Sequence, residues 1–391
     1  MISVEDALAR CLALTALTDT EVLPLRRAHN RVMATAAVAQ LTQPPFDASA
    51  MDGYALGRAA AVGESFTVIG EAGAGHAFQG AVGSDQAIRI FTGAPLPEGA
   101  ASVAIQEDIL RDGDQISLKT AAKPGDNIRP RGQDFTLGQK LTPRLLRPND
   151  LALLAAMNVP EVTVRRRPVV ALMASGDELV MPGETPGPDQ IIASNTFALA
   201  AMVEAAGGEA RILPIARDTE ASLRTVFSLT EGADLIVTIG GASVGDHDLV
   251  GKVAADLGLE RAFWQIAMRP GKPLMAGKVL GLPMLGLPGN PVSAIVCGHL
   301  FMVPMLKAMQ GLPPEIQVLR ARLGSDQPAN GPRDHYMRAR VTLAEGQPTV
   351  TPFARQDSAL LTILTEANAL LIRPLGDGPR KSGEMVSYIA I

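Results

Sequence analysis

The chain has 391 residues and carries 35 Lys and Arg against 40 Asp and Glu, for a formal net charge of −5 at pH 7. This length exceeds the roughly 250 to 300 residues at which a single hydrophobic core stops growing, so we expect several domains. The acidic balance argues against a nucleic-acid-binding protein, because such proteins gain affinity from Lys and Arg that neutralise phosphates. The cysteines, Cys11 and Cys297, lie far apart in apolar helical patterns, which argues against a disulfide framework or a thiolate metal site.

The N-terminus and the most apolar stretch bear on where the protein works. Glu5 and Asp6 stand where a secretory signal peptide would carry positive charge, so the sequence predicts a cytoplasmic protein. Ser3 is suited to cap a first helix. The most apolar run, from Pro291 to Leu306, is interrupted by a histidine and a proline and is shorter than the roughly 20 residues of a membrane span. We therefore expect a buried helix there and no membrane association.

The N-terminal part of the chain predicts two domains, one of them discontinuous. Residues 1–45 are predicted as a helix, a linker and a short extended piece. Residues 46–136 hold short alternating runs such as SFTVIG, AIRIFTG and SVAIQE between Gly, Pro and Asp-Gly turns, a texture typical of a β-rich domain. The segment RPNDLALLAAMNV is predicted as a helix capped by Asn149 or Asp150. Residues 137–167 are expected to rejoin the first segment.

Residues 168–310 alternate apolar strands with helical patterns. Strand PVVALMAS precedes helix SNTFALAAMVEAAGG, EARILPI precedes TEASLRTVFSLT, and DLIVTI and LPMLGL each precede a further helix. This alternation predicts a doubly wound parallel α/β sheet with helices on both faces. Ligands bind outside the carboxyl ends of such strands, so we expect the site there. Residues 311–391 return to β texture and predict a small C-terminal β-barrel, which makes the fold class α/β plus β in several domains.

The glycine-rich loop after DLIVTI is ambiguous by itself. It reads IGGASVGDHD from Ile239 to Asp248 and matches neither the dinucleotide-binding fingerprint nor the P-loop. Its glycines let backbone N–H groups approach a ligand, and the following helix N-terminus favours an anion. Asp246 and Asp248 would repel that anion unless a cation such as Mg²⁺ lay between them. The alternative is a tight turn in which one of these acids only caps the helix.

Other predicted strand ends carry polar residues of the same kind. The segment from Ser175 to Glu178 offers a hydroxyl, a glycine and two carboxylates, Asp218 follows LPIAR, and LPGNP, from Leu287 to Pro291, begins a helix. The turn RPGKP, from Arg269 to Pro273, places two cations where they could clamp an oxyanion. Each segment has a structural alternative, a capped turn or a solvated basic hairpin. Their joint occurrence at one sheet edge favours a site.

Three loops of the β-rich region combine side chains that favour burial with side chains that need water or a partner. The loop PPFDASAMDGYA holds Phe46 and Met51 beside Asp52. The loops IFTGAPLPEGA and DNIRPRGQD share this character and carry Thr92 and Asp134. Tight turns of a β domain are the structural alternative for each loop taken singly.

Seven segments, in this order, resemble the molybdopterin molybdenumtransferase family of bacterial MoeA and the gephyrin E domain: FDASAMDGYA, FTGAPLPEGA, NIRPRGQD, ASGDEL, GGASVGDHD, RPGKP and LPGNPVS. The resemblance covers nearly the whole chain. It implies insertion of molybdate into adenylylated molybdopterin (molybdopterin-AMP) with release of AMP, and a requirement for Mg²⁺. It also implies a homodimer of four-domain subunits, in which residues 168–310 form a MogA-like molybdopterin-binding domain and residues 1–45 and 137–167 form the linking and dimerisation domain.

The resemblance and the strand-end pattern together give a set of candidate site residues. The candidates for catalysis are Asp52, Thr92, Asp134, Glu178, Asp218, Asp248 and Lys272. Asp218 and Asp248 are also the candidate Mg²⁺ ligands. The candidates for substrate binding are Ser175, Gly176, Gly240, Gly241, Ser243, Gly245, Arg269, Pro273, Pro288, Gly289, Asn290, Arg338 and Ser358. By the resemblance, Asp52, Thr92 and Asp134 would face the sheet edge of the other subunit, and Arg338 and Ser358 would hold molybdate.

Four positions depart from the residues that the family commonly carries. Ile239 replaces a serine, Arg269 and Gln265 replace lysines, and Gln133 replaces a glutamate. These changes affect the expected anion binding rather than the reaction class. Two other functions remain open, a molybdopterin adenylyltransferase and a non-catalytic molybdopterin-binding scaffold. If the chain is the molybdenumtransferase, an upstream molybdopterin adenylyltransferase is a possible partner.

Overall fold

The computed structural model describes residues 1–240, 249–344 and 346–391. The chain divides into two compact units, which are described separately. Unit 1 comprises Met1–Glu21, Asn30–Ala34 and Val164–Ile391, and unit 2 comprises Val22–His29 and Thr35–Thr163. The finer four-domain division, with its boundaries at residues 45, 136, 167 and 310, stays a prediction.

The first half of the chain is rich in short strands. Its elements are α1 (Val4–Ala13), β1 (Thr20–Pro24), a 3-10 helix (Leu25–Arg27), β2 (Ala37–Val38), β3 (Ala48–Ser49), β4 (Gly53–Leu56), β5 (Ser65–Ala72), β6 (Gln86–Ile90), β7 (Ser102–Ile105), a second 3-10 helix (Gln106–Asp108), β8 (Ile109–Asp112), β9 (Gln115–Leu118), β10 (Ile128–Arg129), β11 (Lys140–Leu141), α2 (Pro148–Ala156) and β12 (Glu161–Arg165). Ser3 caps α1 as predicted, and its hydroxyl accepts a hydrogen bond from the Asp6 N–H at 3.0 Å.

The second half alternates strands and helices before it returns to strands. Its elements are β13 (Val169–Ala174), β14 (Leu179–Val180), β15 (Ile191–Ile192), α3 (Asn195–Ala205), β16 (Glu209–Ile212), α4 (Glu220–Ser228), β17 (Leu235–Ile239), α5 (Leu249–Asp256), β18 (Glu260–Trp264), β19 (Met268–Arg269), β20 (Met275–Val279), β21 (Leu282–Leu287), α6 (Pro291–Cys297), a π-helix (Gly298–Met302), α7 (Val303–Met309), β22 (Val318–Leu323), β23 (Asp334–Ala344), β24 (Gln347–Pro352), α8 (Leu361–Glu366), β25 (Ala369–Arg373) and β26 (Met385–Ala390).

Unit 2 is built on a six-stranded sheet with strand order β7-β4-β6-β5-β9-β8. Alternate residues of its central strands pack on opposite faces, with Tyr54 and Leu56 in one core cluster and Ala55 and Ile88 in the other. The predicted β texture is therefore confirmed for this region.

The predicted cap of α2 is wrong. The N-cap is Arg147, and the Asp150 carboxylate accepts a hydrogen bond from the Arg147 backbone N–H at 2.9 Å. Pro148 stands at the first helical position, where its fixed φ and missing N–H carry no cost. The helix therefore begins before Asn149, and Asp150 serves the capping box from inside the first turn.

The large sheet of unit 1 has strand order β16-β13-β17-β21-β20-β18. Strands β16, β13, β17 and β21 are parallel, as predicted, whereas β20 and β18 are antiparallel, so the sheet is mixed. A two-residue hairpin joins β20 to β21, with Leu280 and Gly281 both at positive φ. Helix α3 contributes to the core on one face, while α4 and α5 contribute to the core on the other, so the doubly wound arrangement is confirmed.

The last strands of unit 1 close into a barrel. They pair in the order β23-β24-β22-β26-β25, and β25 pairs back with β23. Ala339, Val350 and Tyr388 lie in its core. The predicted C-terminal β-barrel is confirmed.

The run from Pro291 to Met309 is helical throughout and consists of α6, the π-helix and α7. It is 19 residues long and apolar enough to fit a membrane span by length and composition, and 72% of it is buried inside the fold. Val292, Phe301 and Met305 are fully buried. The prediction of a buried helix is confirmed.

Candidate functional site

A cavity of about 780 Å³ lies in unit 1 where β13, β17 and β21 end. The predicted site residues that line it are Ser175, Gly176, Glu178, Asp218, Gly240, Pro273, Pro288, Gly289 and Asn290. The parallel sheet brings these residues together from segments that are distant in the chain, as the rule for carboxyl strand ends predicts.

The loop after β13 holds one carboxylate against the backbone. Gly176 has φ +146°, and a Cβ at this position would overlap the carboxylate of Glu178. The Gly176 N–H donates to Ala216 O at 3.0 Å. Only a glycine lets the Glu178 side chain lie over this peptide without strain, so the glycine sets the position of an acid in the cavity wall.

Arg217 fixes the same loop and was not predicted as a site residue. Its Nη1 donates to the carbonyls of Gly176, Asp177 and Leu179 at 3.3, 3.2 and 3.0 Å. The Asp177 carboxylate in turn accepts the Asp218 backbone N–H at 3.1 Å. The local sequence offers no signal for this contact, because the bonded carbonyls lie about 40 residues earlier in the chain.

Asp218 does not cap α4. The N-cap is Thr219, whose hydroxyl accepts the Ser222 N–H at 3.2 Å. This removes the structural alternative in which Asp218 serves only as a helix cap. Asp218 lines the cavity instead.

Backbone-to-backbone packing joins the ends of three neighbouring strands. The Gly240 N–H donates to Leu287 O at 3.1 Å. A Cβ on Gly240 would lie 3.1 Å from Ser175 O, and one on Gly289 would lie 3.6 Å from Gly240 Cα. The remaining loop candidates, Gly241, Ser243, Gly245, Asp246 and Asp248, lie outside the described residues.

The turn RPGKP contributes one lining residue, Pro273. Arg269 and Lys272 are exposed, and within the described ranges neither makes a side-chain hydrogen bond or ion pair. The turn is anchored through Ile266, whose N–H donates to Lys272 O at 3.1 Å, and through Gly271, which packs against the buried thiol of Cys297. Both cations are thus available to a ligand, as they would also be in a solvated basic hairpin.

Arg338 and Ser358 do not line the cavity. Arg338 is 2% exposed, and its guanidinium donates to Asp357 O at 2.7 Å and to Gln356 Oε1 at 3.3 Å. Ser358 O accepts the Val292 N–H at 3.1 Å, which ties this loop to the first turn of α6. The neighbouring residue Ala359 does line the cavity.

A buried histidine that sequence reasoning missed lies among several guanidinium groups. His335 is 7% exposed, and its strand pairs with Arg269 through β19. Burial lowers the pKa of His335 to about 4, with further lowering by the charges of Arg269 and Arg338, and by those of Arg373 and Arg333. The imidazole is therefore neutral at physiological pH. Arg333 and Arg338 are close to His335 in the chain, whereas Arg269 and Arg373 come from distant segments, and no local pattern indicates their approach.

In unit 2 the carboxylate of Asp52 is held by Thr92. The Thr92 N–H and hydroxyl both donate to Asp52 Oδ1, each at 2.7 Å. These two hydrogen bonds, followed by the charge of Arg89, lower the pKa of Asp52 below its ordinary value of 3.8. The structure therefore pairs two of the predicted catalytic residues, and the pairing favours the ionised form of the carboxylate.

The three predicted loops of unit 2 converge. The Ser49 N–H donates to Ala94 O at 3.0 Å, the Ala50 N–H to Asn127 O at 2.8 Å, and the Arg131 N–H to the Asp47 carboxylate at 2.7 Å. These bonds tie the segments that carry Asp52, Thr92 and Asp134 into one cluster. Asp134 itself is exposed.

Phe46 and Met51, which were expected to favour burial, are each 39% exposed. The buried aromatic residue of that segment is Tyr54. The loop that carries Asp52 thus presents apolar surface to solvent.

Comparison with known proteins assigns the whole chain. Residues 2–158 match the family model of the MoeA N-terminal region (domain I and II), residues 171–308 a probable molybdopterin binding domain, and residues 320–391 the MoeA C-terminal region (domain IV). A curated relative from Nostoc sp., named molybdopterin molybdenumtransferase, is 34% identical over 95% of this chain and 89% of its own length. The chain belongs to the MoeA family of molybdopterin molybdenumtransferases.

Other members of the MoeA family agree with this assignment. A molybdopterin molybdenumtransferase from Haemophilus influenzae is 34% identical over 95% of this chain and 93% of its own length. The crystal structure of a molybdopterin biosynthesis MoeA protein from Pyrococcus horikoshii OT3 has a TM-score of 0.86 and 28% identity, and covers 100% of both chains. The family resemblance inferred from the seven motifs is confirmed.

The structure shows where this MoeA family member departs from the expected residues. Ile239 is 3% exposed, packs in the core and also lines the cavity. Gln265 has φ +67° and lies in the turn region, where its N–H donates to Leu274 O at 3.0 Å. Gln133 is exposed next to Asp134. The Ile239 side chain thus adds apolar packing where a serine would offer a hydroxyl.

Proposed function

We propose that this protein inserts molybdate into molybdopterin-AMP with release of AMP, the last step of molybdenum cofactor biosynthesis. The observation that carries the proposal is the cavity at the sheet edge, which gathers Glu178, Asp218, Gly240 and Asn290 in a member of the MoeA family. A phosphoanhydride substrate needs backbone N–H groups that approach its oxygens closely and acids that hold a cation against its charge.

Anion capture would fall to the backbone around Gly240 and Gly289 and to the helical run that starts after Asn290. Asn290 is the N-cap of α6 and makes no side-chain capping bond. A helix N-terminus carries a partial positive charge and favours phosphate. Lys272 and Arg269, both exposed on the nearby turn, would hold the incoming oxyanion. Arg338 and Ser358 stay predicted molybdate contacts.

We propose Mg²⁺ as the cofactor, bound between the acids of the cavity wall and the phosphates of the substrate. Within the described ranges no group of three or more His, Cys, Asp or Glu side chains is placed to hold a metal ion. Mg²⁺ commonly binds through one or two carboxylates plus substrate phosphates, and Asp218 and Glu178 line the cavity. We propose Asp218 as one ligand, with Asp248 as the second. When bound, the ion would neutralise charge on the anhydride oxygens.

Asp52 would orient the water molecule that attacks the phosphoanhydride. Its ionised carboxylate, held by Thr92, can accept a hydrogen bond from a water molecule and orient it. Asp134 lies in the same loop cluster and would assist in placing the substrate.

We extend the proposal to the state of the protein in the cell. The homodimer, with the Asp52 loop of one subunit facing the sheet edge of the other, is supported by the exposed Phe46 and Met51 in that loop. We also propose a cytoplasmic location and substrate transfer from an upstream molybdopterin adenylyltransferase. Size-exclusion chromatography with light scattering tests the dimer, since a monomer at micromolar concentration would contradict it.

One experiment separates the candidate reactions. Purified protein is given molybdopterin-AMP, Mg²⁺ and molybdate, and AMP is quantified by chromatography. Molybdate-dependent AMP release supports the proposal. ATP consumption with free molybdopterin would instead indicate the adenylyltransferase, and binding without turnover of either substrate would indicate the scaffold.

A further inference from the structure

The first residue of α3 carries an amide whose hydrogen bonding is half complete. Asn195 Nδ2 donates to Gly289 O at 2.7 Å. The Oδ1 atom of the same amide is buried and has no hydrogen-bond partner among the residues that the structure describes. Because a carbonyl only accepts, the bond to Gly289 fixes which end of the amide is the nitrogen. Oδ1 is therefore a preset acceptor.

A second unpaired group lies in the same cavity wall. Ser175 is 6% exposed, and its Oγ has no partner within the described part of the chain. Asn195 and Ser175 both line the cavity at the sheet edge. Buried polar atoms are nearly always hydrogen-bonded in native proteins. Of the four unpaired side-chain atoms in the described part of the chain, two belong to this one wall and the others, Ser102 Oγ and Thr238 Oγ1, to residues outside it, so the cavity is where a ligand can complete such a pair.

The Asn195 amide determines which kind of ligand group can bond to its Oδ1 atom. An amide oxygen accepts hydrogen bonds and an ionised phosphate also only accepts, so the partner of Oδ1 is not a phosphate oxygen. It is an N–H or O–H donor on the ligand.

The neighbouring wall is apolar. Leu179, Ile191 and Ile192 line the cavity, and Ile191 and Ile192 are 60% and 37% exposed. An apolar surface of this kind suits the face of a flat ring. A donor edge and an apolar face together describe a nitrogen heterocycle that carries N–H groups.

We propose that Asn195 is a ring-recognition residue, whose Oδ1 accepts a hydrogen bond from the amino edge of a planar heterocycle that lies against Ile191 and Ile192. This inference rests on the proposed function, whose substrate carries two such rings, the aminopyrimidinone of the pterin and the aminopurine of AMP. In this arrangement the phosphates lie toward Gly240 and Gly289. The same amide thereby contacts the ring through Oδ1 and holds the LPGNP loop through its bond to Gly289 O.

Two matched pairs of probes test the proposal by isothermal titration calorimetry, without molybdate or Mg²⁺. The first pair is AMP and purine riboside 5′-monophosphate, which lacks the 6-amino group. The second pair is pterin and lumazine, which carries a carbonyl in place of the 2-amino group. The wild-type protein is expected to bind the amino member of one pair about tenfold more tightly, the value of one hydrogen bond. The pair that is discriminated identifies the ring.

Variants link that preference to the amide. Asn195→Ala is expected to bring the ratio within the discriminated pair close to one. Asn195→Asp keeps the size of the side chain but replaces the donor to Gly289 O by a carboxylate oxygen. We therefore expect both members of the pair to bind more weakly. This variant is used if Asn195→Ala does not fold. Asn149→Ala makes the same chemical change on the exposed surface of α2 and is expected to keep the wild-type ratio. Thermal unfolding verifies that each variant is folded.

Two results would overturn the inference. One is equal affinity within both pairs for the wild-type protein, which includes the case that no probe binds. The other is a ratio that survives Asn195→Ala in a folded protein. Since the titrations need no turnover, preserved discrimination without AMP release would count against the proposed reaction alone, and AMP release without discrimination would count against this inference alone.

Discussion

Asp52 accepts two side-chain hydrogen bonds from one residue, Thr92, whose backbone N–H and hydroxyl converge on the same carboxylate oxygen at 2.7 Å each. Thr92 therefore lowers the pKa of Asp52 as well as fixing the position of its carboxylate. The pairing joins two loops that lie 40 residues apart in the chain.

Thr92→Val removes the hydroxyl donor and keeps the backbone N–H. We expect the pKa of Asp52 to rise toward its ordinary value of 3.8, yet to remain below it because the N–H bond persists. Carbon-detected NMR titration of the aspartate carboxyl groups, assigned with the help of Asp52→Asn, measures this change. An unchanged pKa would show that the hydroxyl bond does not stabilise the ionised form.

Asp52→Asn keeps the shape of the side chain but removes its charge and its capacity as a base. We expect AMP release to fall by about 10²- to 10⁴-fold, the usual contribution of a positioned acid or base, with the fold intact. Asp112→Asn, an exposed position in β8 of the same unit, is the control and is expected to keep full activity. Normal turnover in a folded Asp52→Asn protein would remove Asp52 from the mechanism.

Gly176→Ala tests the seat of the Glu178 carboxylate. Gly176 has a positive φ, and its added Cβ would overlap that carboxylate, whereas a Cβ on Gly63, at φ +84°, meets nothing within 4 Å. We expect both substitutions to cost about 1 to 3 kcal/mol of stability through backbone strain. AMP release is expected to fall in Gly176→Ala only, and equal activity of the two variants would rule out the positional role of Glu178.

Arg338→Met tests whether the buried guanidinium holds the fold. Its loss removes the hydrogen bonds that the guanidinium, on a residue only 2% exposed, donates to Asp357 O and Gln356 Oε1, so we expect the free energy of unfolding to fall by about 2 to 4 kcal/mol. Arg340→Met is the control on the same strand, because Arg340 is exposed and its ion pair with Glu366 contributes under about 1 kcal/mol. Urea denaturation compares them, and equal stabilities would contradict a structural role for Arg338.

His335 predicts a pH dependence of stability. Its pKa falls from 6.5 to about 4 on folding, so between these values the unfolded chain binds more protons than the folded one. Stability from this group is therefore full above pH 6.5 and is lost as the pH falls toward 4, by on the order of 3 kcal/mol. Urea denaturation across this pH range, repeated on His335→Phe, measures this loss of stability. If the free energy of unfolding falls equally with pH in both proteins, His335 is not the cause of the pH dependence.

The parts of the fold that depend on local patterns could be predicted from sequence. Ser3 begins α1 through its own side chain, and the strand-helix alternation sets the parallel strands and the edge where Glu178 and Asp218 meet. Contacts between distant segments could not be predicted. Arg217 donates to carbonyls about 40 residues away, and the environment of His335 is set by charges from several strands. The antiparallel edge of the sheet was missed because a Leu280-Gly281 hairpin carries none of the usual turn residues at its first position.

Helix α1 is synthesised long before the residues against which it packs. Ala7 and Cys11 of α1 are fully buried in the core of the α/β sheet, and Arg10 bonds to Ala262 O, 252 residues later. At about 5 to 20 residues per second, a ribosome needs roughly 10 to 50 s to make that intervening chain. Throughout this interval α1 lacks β18, β20 and α7, with which it is in contact in the folded protein, while unit 2 is completed at residue 163. During synthesis the apolar face of α1 therefore stays uncovered until the later part of unit 1 has been made.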